Sequence, residues 1–236
     1  MNSALASALA NHPAENPQAM DVAHATLIAS LIGAAKPARV LELGVGSAYL
    51  TRVLLAAVAD NGVGKLTSVD NFVDWQGKRP PHIAALAAEN PDWELVERDE
   101  TEFVRTAAAG QFDFIVSDGD HVHGYQNAPD VFRIARAGAT LAFHDTHNPL
   151  FHILSRLPAR CRQLGFPAAH FCAKSRPEEK TDRGLLIVWK DRERGFSLDL
   201  NTRVYLRLRD RLPPALKSWL RGRADARATG ATSGGN

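Results

Sequence analysis

The stretch Arg39-Val40-Leu41-Glu42-Leu43-Gly44-Val45-Gly46-Ser47-Ala48-Tyr49 decides the fold. Its first five residues are a short, mostly apolar run that reads as a strand, and Tyr49 opens a segment, residues 49–59, with the apolar spacing of a helix. Between them, two glycines separated by one residue make a turn. Strand, glycine turn and helix in that order form the opening unit of a parallel α/β sheet. The alternation continues: strand-like runs at residues 65–69, 93–97, 112–117 and 140–143 are separated by helix-like stretches at 81–89, 102–109 and 128–137. The runs show little polar alternation, as befits strands covered on both faces. Each connection is long enough for a right-handed crossover.

Past Asp145 the pattern changes. Residues 169–173 and 184–190 flank a charged, turn-like segment at 174–183 and predict a long antiparallel hairpin. The expected fold is a single-domain, doubly wound, Rossmann-like α/β structure, mostly parallel, with an antiparallel edge hairpin. Residues 39–195 are its core. Residues 1–38 carry two helices with a break at Asn16-Pro17, placed to act as a lid or a homodimer contact. Residues 196–236 are a basic extension: from Asn201 on there are eight Lys or Arg against two Asp, with a Gly, Ser and Thr-rich end read as disordered. Residues 204–223 mix Leu and Trp219 with arginines, interrupted at Pro213-Pro214, and read as a solvated surface helix or a contact for an anionic surface.

Composition bounds the function. A chain of 236 residues, 45% hydrophobic and 23% charged, buries a substantial core, which excludes a disordered or fibrous protein. The net charge of +2 excludes a surface built throughout to neutralise nucleic acid. Cys161 and Cys172 fit neither a disulfide framework nor a thiolate metal knuckle, so a reducing, cytoplasmic setting is expected. The apolar stretch at 25–35 falls short of the roughly 20 residues that span a bilayer, and the first ten residues lack the positive leader of a secretory signal.

Gly44 and Gly46 let the backbone approach a ligand closely, and the helix start beyond them offers unpaired N–H groups, together a nucleotide-type pocket. Glu42, two residues before Gly44, would repel a pyrophosphate and attract a cation such as the amino group of a sulfonium cofactor. Asp70 ends the next strand, where an acid accepts hydrogen bonds from both ribose hydroxyls. Glu-x-Gly-x-Gly followed one strand later by an acid resembles the class I S-adenosylmethionine (SAM)-dependent methyltransferases, over about residues 24–190. The resemblance implies that Glu42 lies near the methionine amino group, that Gly44 and Gly46 contact the cofactor, and that Asp70 binds the ribose. It also implies that Asp99, or Glu100 beside it, approaches the adenine amino group. Ser47, Asn71 and Asp118 are the remaining expected cofactor contacts. Ala48 stands where the commonest pattern has a third glycine.

The strongest chemical signal lies at the ends of the fourth and fifth strands. The first delivers Asp118-Gly119-Asp120-His121, the second His144-Asp145, and carboxyl ends of neighbouring parallel strands open into one crevice. Five of the nine histidines, His121, His123, His144, His147 and His152, fall within 32 residues, where an even spread would put about one. Carboxylates and an imidazole in one cleft call for a compensating charge, and a divalent cation held by Asp118, His144 and Asp145 supplies it. Oxygen donors suit Mg²⁺ or Mn²⁺, and the imidazole moves the preference toward Mn²⁺, Fe²⁺ or Zn²⁺. The bland alternative is that the two acids hold loops and His144 fills space.

Asp-Gly-Asp-His after Phe-Asp-Phe-Ile-Val, with Phe-His-Asp after the next strand, resembles the metal-dependent small-molecule O-methyltransferases, in the branch with macrolide-sugar and cephalosporin-pathway enzymes. That resemblance implies metal ligands at Asp118, position 144 and Asp145, and His121 as general base. Position 144, commonly a carboxylate in those enzymes, is His here. Asp120 is a candidate partner to the ligands. A metal-bound hydroxyl is more acidic, a base removes its proton, and the oxygen attacks the sulfonium methyl directly. Residues 71–81, with Phe72, Trp75, Lys78 and Arg79, are expected to cover the cofactor, and 146–151 to line the acceptor pocket. His123 and His147 are candidates for substrate contact or solvated surface.

The expected activity is methyl transfer to a hydroxyl of a small molecule, a sugar or another natural-product intermediate. The alternatives are a metal-independent methyltransferase with His121 as base, a non-haem iron oxygenase, which would leave Glu42 and Asp70 without a task, and a non-catalytic cofactor-binding regulatory protein. Nucleic-acid methylation is disfavoured, because basic residues concentrate in the tail and no Asn-Pro-Pro-Tyr motif occurs.

Overall fold

A computed structural model describes residues 3–13, 19–73, 79–147, 153–173, 183–211 and 213. Helices α1 (Ser3–Ala10) and α2 (Val22–Ala35) precede β1 (Arg39–Leu43), α3 (Tyr49–Asn61), β2 (Lys65–Asp70), α4 (His82–Glu89) and β3 (Glu94–Glu97). Then come α5 (Glu100–Thr106), β4 (Phe112–Ser117), α6 (Gly124–Ile134), β5 (Ala135–Phe143), α7 (Leu157–Gln163), β6 (Ala168–Ala173), β7 (Arg183–Lys190) and α8 (Leu200–Arg211). Residues 1–196 form one compact unit, and residues 197–236, with α8, a second.

The seven strands lie in the order β3-β2-β1-β4-β5-β7-β6. β1 to β5 pair in parallel, while β7 runs antiparallel to both β5 and β6. This is the mostly parallel Rossmann-like sheet with an antiparallel edge. Alternate side chains enter the two layers: Val40, Phe114 and Val116 join the core with α1 to α4, and on the other face Phe132 of α6 stacks on Phe143. Leu5, Leu9, Ile28 and Ile32 are buried in the first of these layers, so the apolar faces of α1 and α2 are covered within their own chain.

The order reverses between β1 and β4, the topological switch point where ligands of open α/β sheets bind. Leu43 pairs with Ser117 and Ser117 with Phe143, so three strand ends are level. Asp118 N–H donates to the Leu43 carbonyl at 2.8 Å and His144 N–H to the Ser117 carbonyl at 3.0 Å, extending the ladder one residue. Gly44, Asp118 and His144 thereby leave the sheet side by side.

Some boundaries differ from expectation. The stretch 128–137 divides: α6 begins at Gly124 and ends at Ile134, because Ala135 pairs with Phe112 and opens β5. An irregularity follows, with Gly138 at φ +83, before regular pairing resumes at Thr140. Helix α5 starts at Glu100 because the Asp99 side chain caps it, accepting from Glu102 N–H at 2.8 Å. Arg183, read as part of a charged turn, is the first residue of β7. Asn16-Pro17, Trp75, Lys78, residues 148–152, 174–182 and 214–236 lie outside the described residues. No helix among the described residues is long and apolar enough to cross a membrane.

Candidate functional site

The glycine turn is held from below by Asp70. One of its carboxylate oxygens accepts from Val45 N–H (2.8 Å) and Gly46 N–H (2.9 Å), the other from Phe72 N–H (2.6 Å). The acid expected to meet a ribose therefore also shapes the turn, with a second lone pair left only on the oxygen that accepts from Phe72 N–H. Gly44 has φ +91, and a Cβ there would lie 2.5 Å from Gly119 Cα and 2.6 Å from Gly119 N. Its glycine is demanded by the turn after β4, not by a ligand alone. Gly46 (φ +49) and Ala48 (φ 59) are also left-handed, and Ala48 pays the Cβ strain that a third glycine would avoid. The Ser47 carbonyl meets His82 Nε2 at 3.0 Å, and Asn71 Oδ1 accepts from Val73 N–H at 2.9 Å.

Glu42 has other partners than the expected amino group. It is fully buried under α3 and accepts from Thr51 Oγ1 (2.9 and 3.0 Å) and Ser68 Oγ (2.6 Å), while Trp93 Nε1 donates to Ser68 Oγ at 2.9 Å. Burial pushes its carboxyl up to about 8 against those hydrogen bonds, with the charges of Asp118 and Asp70 adding to the rise. Burial therefore favours the neutral form of Glu42 and weakens the repulsion of a pyrophosphate by this strand tip. A carboxyl raised in the folded state from 4.5 makes the native protein bind the extra proton, so Glu42's contribution to stability is full below about pH 4.5 and lost as pH rises through 8. Glu42→Gln is expected to gain on wild type across that window, by no more than about 1.4 kcal/mol per pH unit. Thermal melts at pH 5 and pH 8 check this; equal pH slopes for both proteins would refute it.

Of the two acids expected near the adenine, Asp99 is exposed and occupied as the α5 cap, whereas Glu100 is buried beneath the loop after β4. Glu100 Oε2 accepts from Asp120 N–H at 2.9 Å, and Oε1 is buried without a hydrogen-bond partner. Burial first, then the nearby charges of Asp120, Asp70 and Asp99, raise its carboxyl to about 7 against the Asp120 hydrogen bond. An unpaired acceptor beside the switch point fits the exocyclic amino group of an adenine.

Asp118, His121, His144 and Asp145 do converge. His144 Nδ1 lies 2.7 Å from Asp118 Oδ1 and 3.9 Å from Asp145 Oδ1; His121 Nε2 lies 3.3 Å from Asp145 Oδ2 and 3.9 Å from Asp118 Oδ1. Asp145 sits at φ 56, a left-handed conformation that turns its carboxylate back into the cleft mouth. Arg183 reaches the same carboxylate at 3.4 and 3.5 Å. Burial alone would lower His144, but the charge and hydrogen bond of Asp118, with Asp21 and Asp145, raise it to about 10. Burial alone would raise Asp118, and His144, His121 and Arg183 outweigh it and hold Asp118 low. The compensating charge expected of a divalent cation is thus carried by His144 and Arg183. Asp118, His144, Asp145 and Arg183 form an ion-pair network, and an ion held by Asp118, His144 and Asp145 would replace the proton between His144 and Asp118 and sit beside the guanidinium.

Asp120 binds His123: its carboxylate accepts from the His123 N–H and Val122 N–H, both at 3.0 Å, and pairs with the His123 ring. His147 lies edge-on to His170, whose Nε2 is 3.0 Å from Thr146 Oγ1. Three residues that the sequence reading missed complete the surroundings. Arg183 is one. Asp21 and His24 are the others: Asp21 Oδ2 lies 3.6 Å from His144 Nε2, and the His24 and His144 rings meet edge-on at 5.4 Å. Their only sequence signal is an Asp three residues before a His at the start of an apolar helix, the pattern of an ordinary N-cap.

Residues 41–146, which hold the glycine turn and both strand ends, match a family described as a methyltransferase domain. The match spans a little under half of the 236 residues. No curated protein sequence matches significantly. Solved structures share the fold over about four fifths of the chain. Cofactor-bound Rv0187 from MTB is 21% identical, with a TM-score of 0.59 over 81% of this chain and 91% of its own. The O-methyltransferase TomG from Streptomyces achromogenes, solved with SAM, is 16% identical, with a TM-score of 0.58 over 80% and 90%. An O-methyltransferase from Bacillus cereus, solved with S-adenosylhomocysteine (SAH), is 15% identical, with a TM-score of 0.57 over 80% and 92%.

Proposed function

We propose that the chain is a SAM-dependent O-methyltransferase acting on a hydroxyl of a small molecule, a sugar or another natural-product intermediate, with His121 as general base. The observation that carries this reading is the meeting of His121, Asp118, His144 and Asp145 at the switch point of a methyltransferase domain, beside the buried, unpaired Oε1 of Glu100. Bound SAM supplies a methyl group on a positively charged sulfur. His121 takes the proton of the acceptor hydroxyl as its oxygen bonds to the methyl carbon and the carbon–sulfur bond breaks, leaving SAH, a methyl ether and a protonated imidazole. Asp145, 3.3 Å from His121 Nε2, orients the ring and stabilises the imidazolium. Asp118 and His144, ion-paired and nearly buried, fix the floor on which Asp145 sits. The same network favours the reading without a metal in the transfer step, since its charges are already balanced within the protein.

Calorimetry with SAH tests the cofactor assignment. Glu100→Gln turns an acceptor into a mixed donor and acceptor facing the adenine amino group, and is expected to weaken SAH about tenfold. Absence of SAH binding to the wild-type chain would end the reading. Formation of SAH with a panel of hydroxylated sugars and natural products, against none without acceptor, separates an enzyme from a cofactor-binding regulatory protein.

A further inference from the structure

We infer that Asp21, His24 and His144 form a buried site for one first-row transition-metal ion, on the opposite side of the His144 ring from Asp118. Asp21 caps α2 through Oδ1, which accepts from His24 N–H at 2.8 Å, and this turns Oδ2 toward the two imidazoles. Oδ2 lies 2.6 Å from His24 Nδ1 and 3.6 Å from His144 Nε2, and one donor atom from each residue falls within 4.8 Å of the others. All three residues are almost wholly buried, at 2%, 2% and 1% exposure.

The donor atoms have no aligned hydrogen-bond partner. Four buried side-chain atoms without an aligned hydrogen bond meet here: Asp21 Oδ2, both ring nitrogens of His24, and His144 Nε2. Buried polar atoms of a native protein are nearly always satisfied, and beside the 2.6 Å Asp21–His24 pair the Nε2 atoms of His24 and His144 are left without a hydrogen bond. A proton shared within the cluster can satisfy one pair; a cation accepts lone pairs from all three residues at once. His144 is already oriented for it, because its Nδ1 side is held by Asp118 at 2.7 Å, the carboxylate–histidine arrangement that presents Nε2 to a metal. Two imidazoles and one carboxylate select Zn²⁺, Mn²⁺ or Fe²⁺ over Mg²⁺, which prefers oxygen donors and retains its waters.

The ion would tie the start of α2 to the end of β5 and fix the His144 to Asp118 contact that floors the cleft. Its existence does not depend on the methyl-transfer reading. The test uses the full chain, stripped with a chelator and titrated separately with Zn²⁺, Mn²⁺ and Mg²⁺, following metal content after dialysis and the melting temperature. The expected result is one retained equivalent of Zn²⁺ or Mn²⁺ with a raised melting temperature, and none of Mg²⁺. Asp21→Asn preserves the cap, since Asn is as good an N-cap as Asp, and with His24→Gln it is expected to weaken metal binding at least about a hundredfold. Asp145→Asn is expected to retain the ion. The inference is overturned if wild type retains no metal, if Asp21→Asn and His24→Gln bind it like wild type, or if Asp145→Asn loses it as fully as Asp21→Asn. A cooperative melting transition reports that each variant is folded, and a wild type that binds metal but not SAH in calorimetry would sink only the methyl-transfer reading.

Discussion

Replacing His121 with alanine is expected to lower the rate of SAH formation by about 10³-fold while leaving SAH affinity within about threefold of wild type. The split follows from position. His121 follows β4 by four residues and faces Asp145 at 3.3 Å, with its side chain 20% exposed at the cleft mouth. Apart from Asp118, the expected cofactor contacts lie on the other side of the switch point, at the turn after β1, at the end of β2 and at Glu100. A hydroxyl is a poor nucleophile until its proton leaves, so loss of the base acts on the chemical step and not on cofactor binding. Initial rates at saturating SAM, with calorimetry on the same preparation, check both halves. A variant that retains more than a third of wild-type turnover would remove His121 from the reaction and leave proton removal to solvent or to Asp145.

Gly44→Ala is expected to destabilise the fold by about 3 kcal/mol or more, lowering the melting temperature by roughly 6–12 °C. The added methyl would lie 2.5 Å from Gly119 Cα and 2.7 Å from the Asp118 carbonyl carbon. These are backbone atoms of the neighbouring turn, which cannot step aside as a side-chain end can. The positive φ of +91 adds strain for any residue with a Cβ. Relief requires the two turns to separate, which carries Asp118 away from His144 and Glu100 away from the Asp120 N–H. SAH binding should therefore weaken along with stability. Melting curves give the first effect and calorimetry below the transition the second; a melting temperature within about 2 °C of wild type would show that the turns separate without loss.

Because the period of the apolar runs and the right-handed crossover fix the sense of each strand, residues just beyond β1, β4 and β5 had to emerge at one edge. That is why Asp118, His121, His144 and Asp145 were legible as one group, and why the hairpin of β6 and β7 followed from its charged interruption. The same local patterns were misleading at 128–137, where Ala-rich composition reads as helix while Ala135 is claimed by the sheet through Phe112.

The order of strands and helices, the glycine turn and the gathering of acids and imidazoles were written in the linear chain, since each depends on neighbours a few positions away or on the handedness of the backbone. Only the tertiary structure decided the state and partners of those groups. It buried Glu42 under Thr51, buried Glu100 while leaving Asp99 exposed as a helix cap, brought Arg183 onto Asp145, and set Asp21 and His24 against His144. Desolvation and ion pairing depend on which residues, far apart along the chain, come within a few ångströms, and no local pattern carries that information.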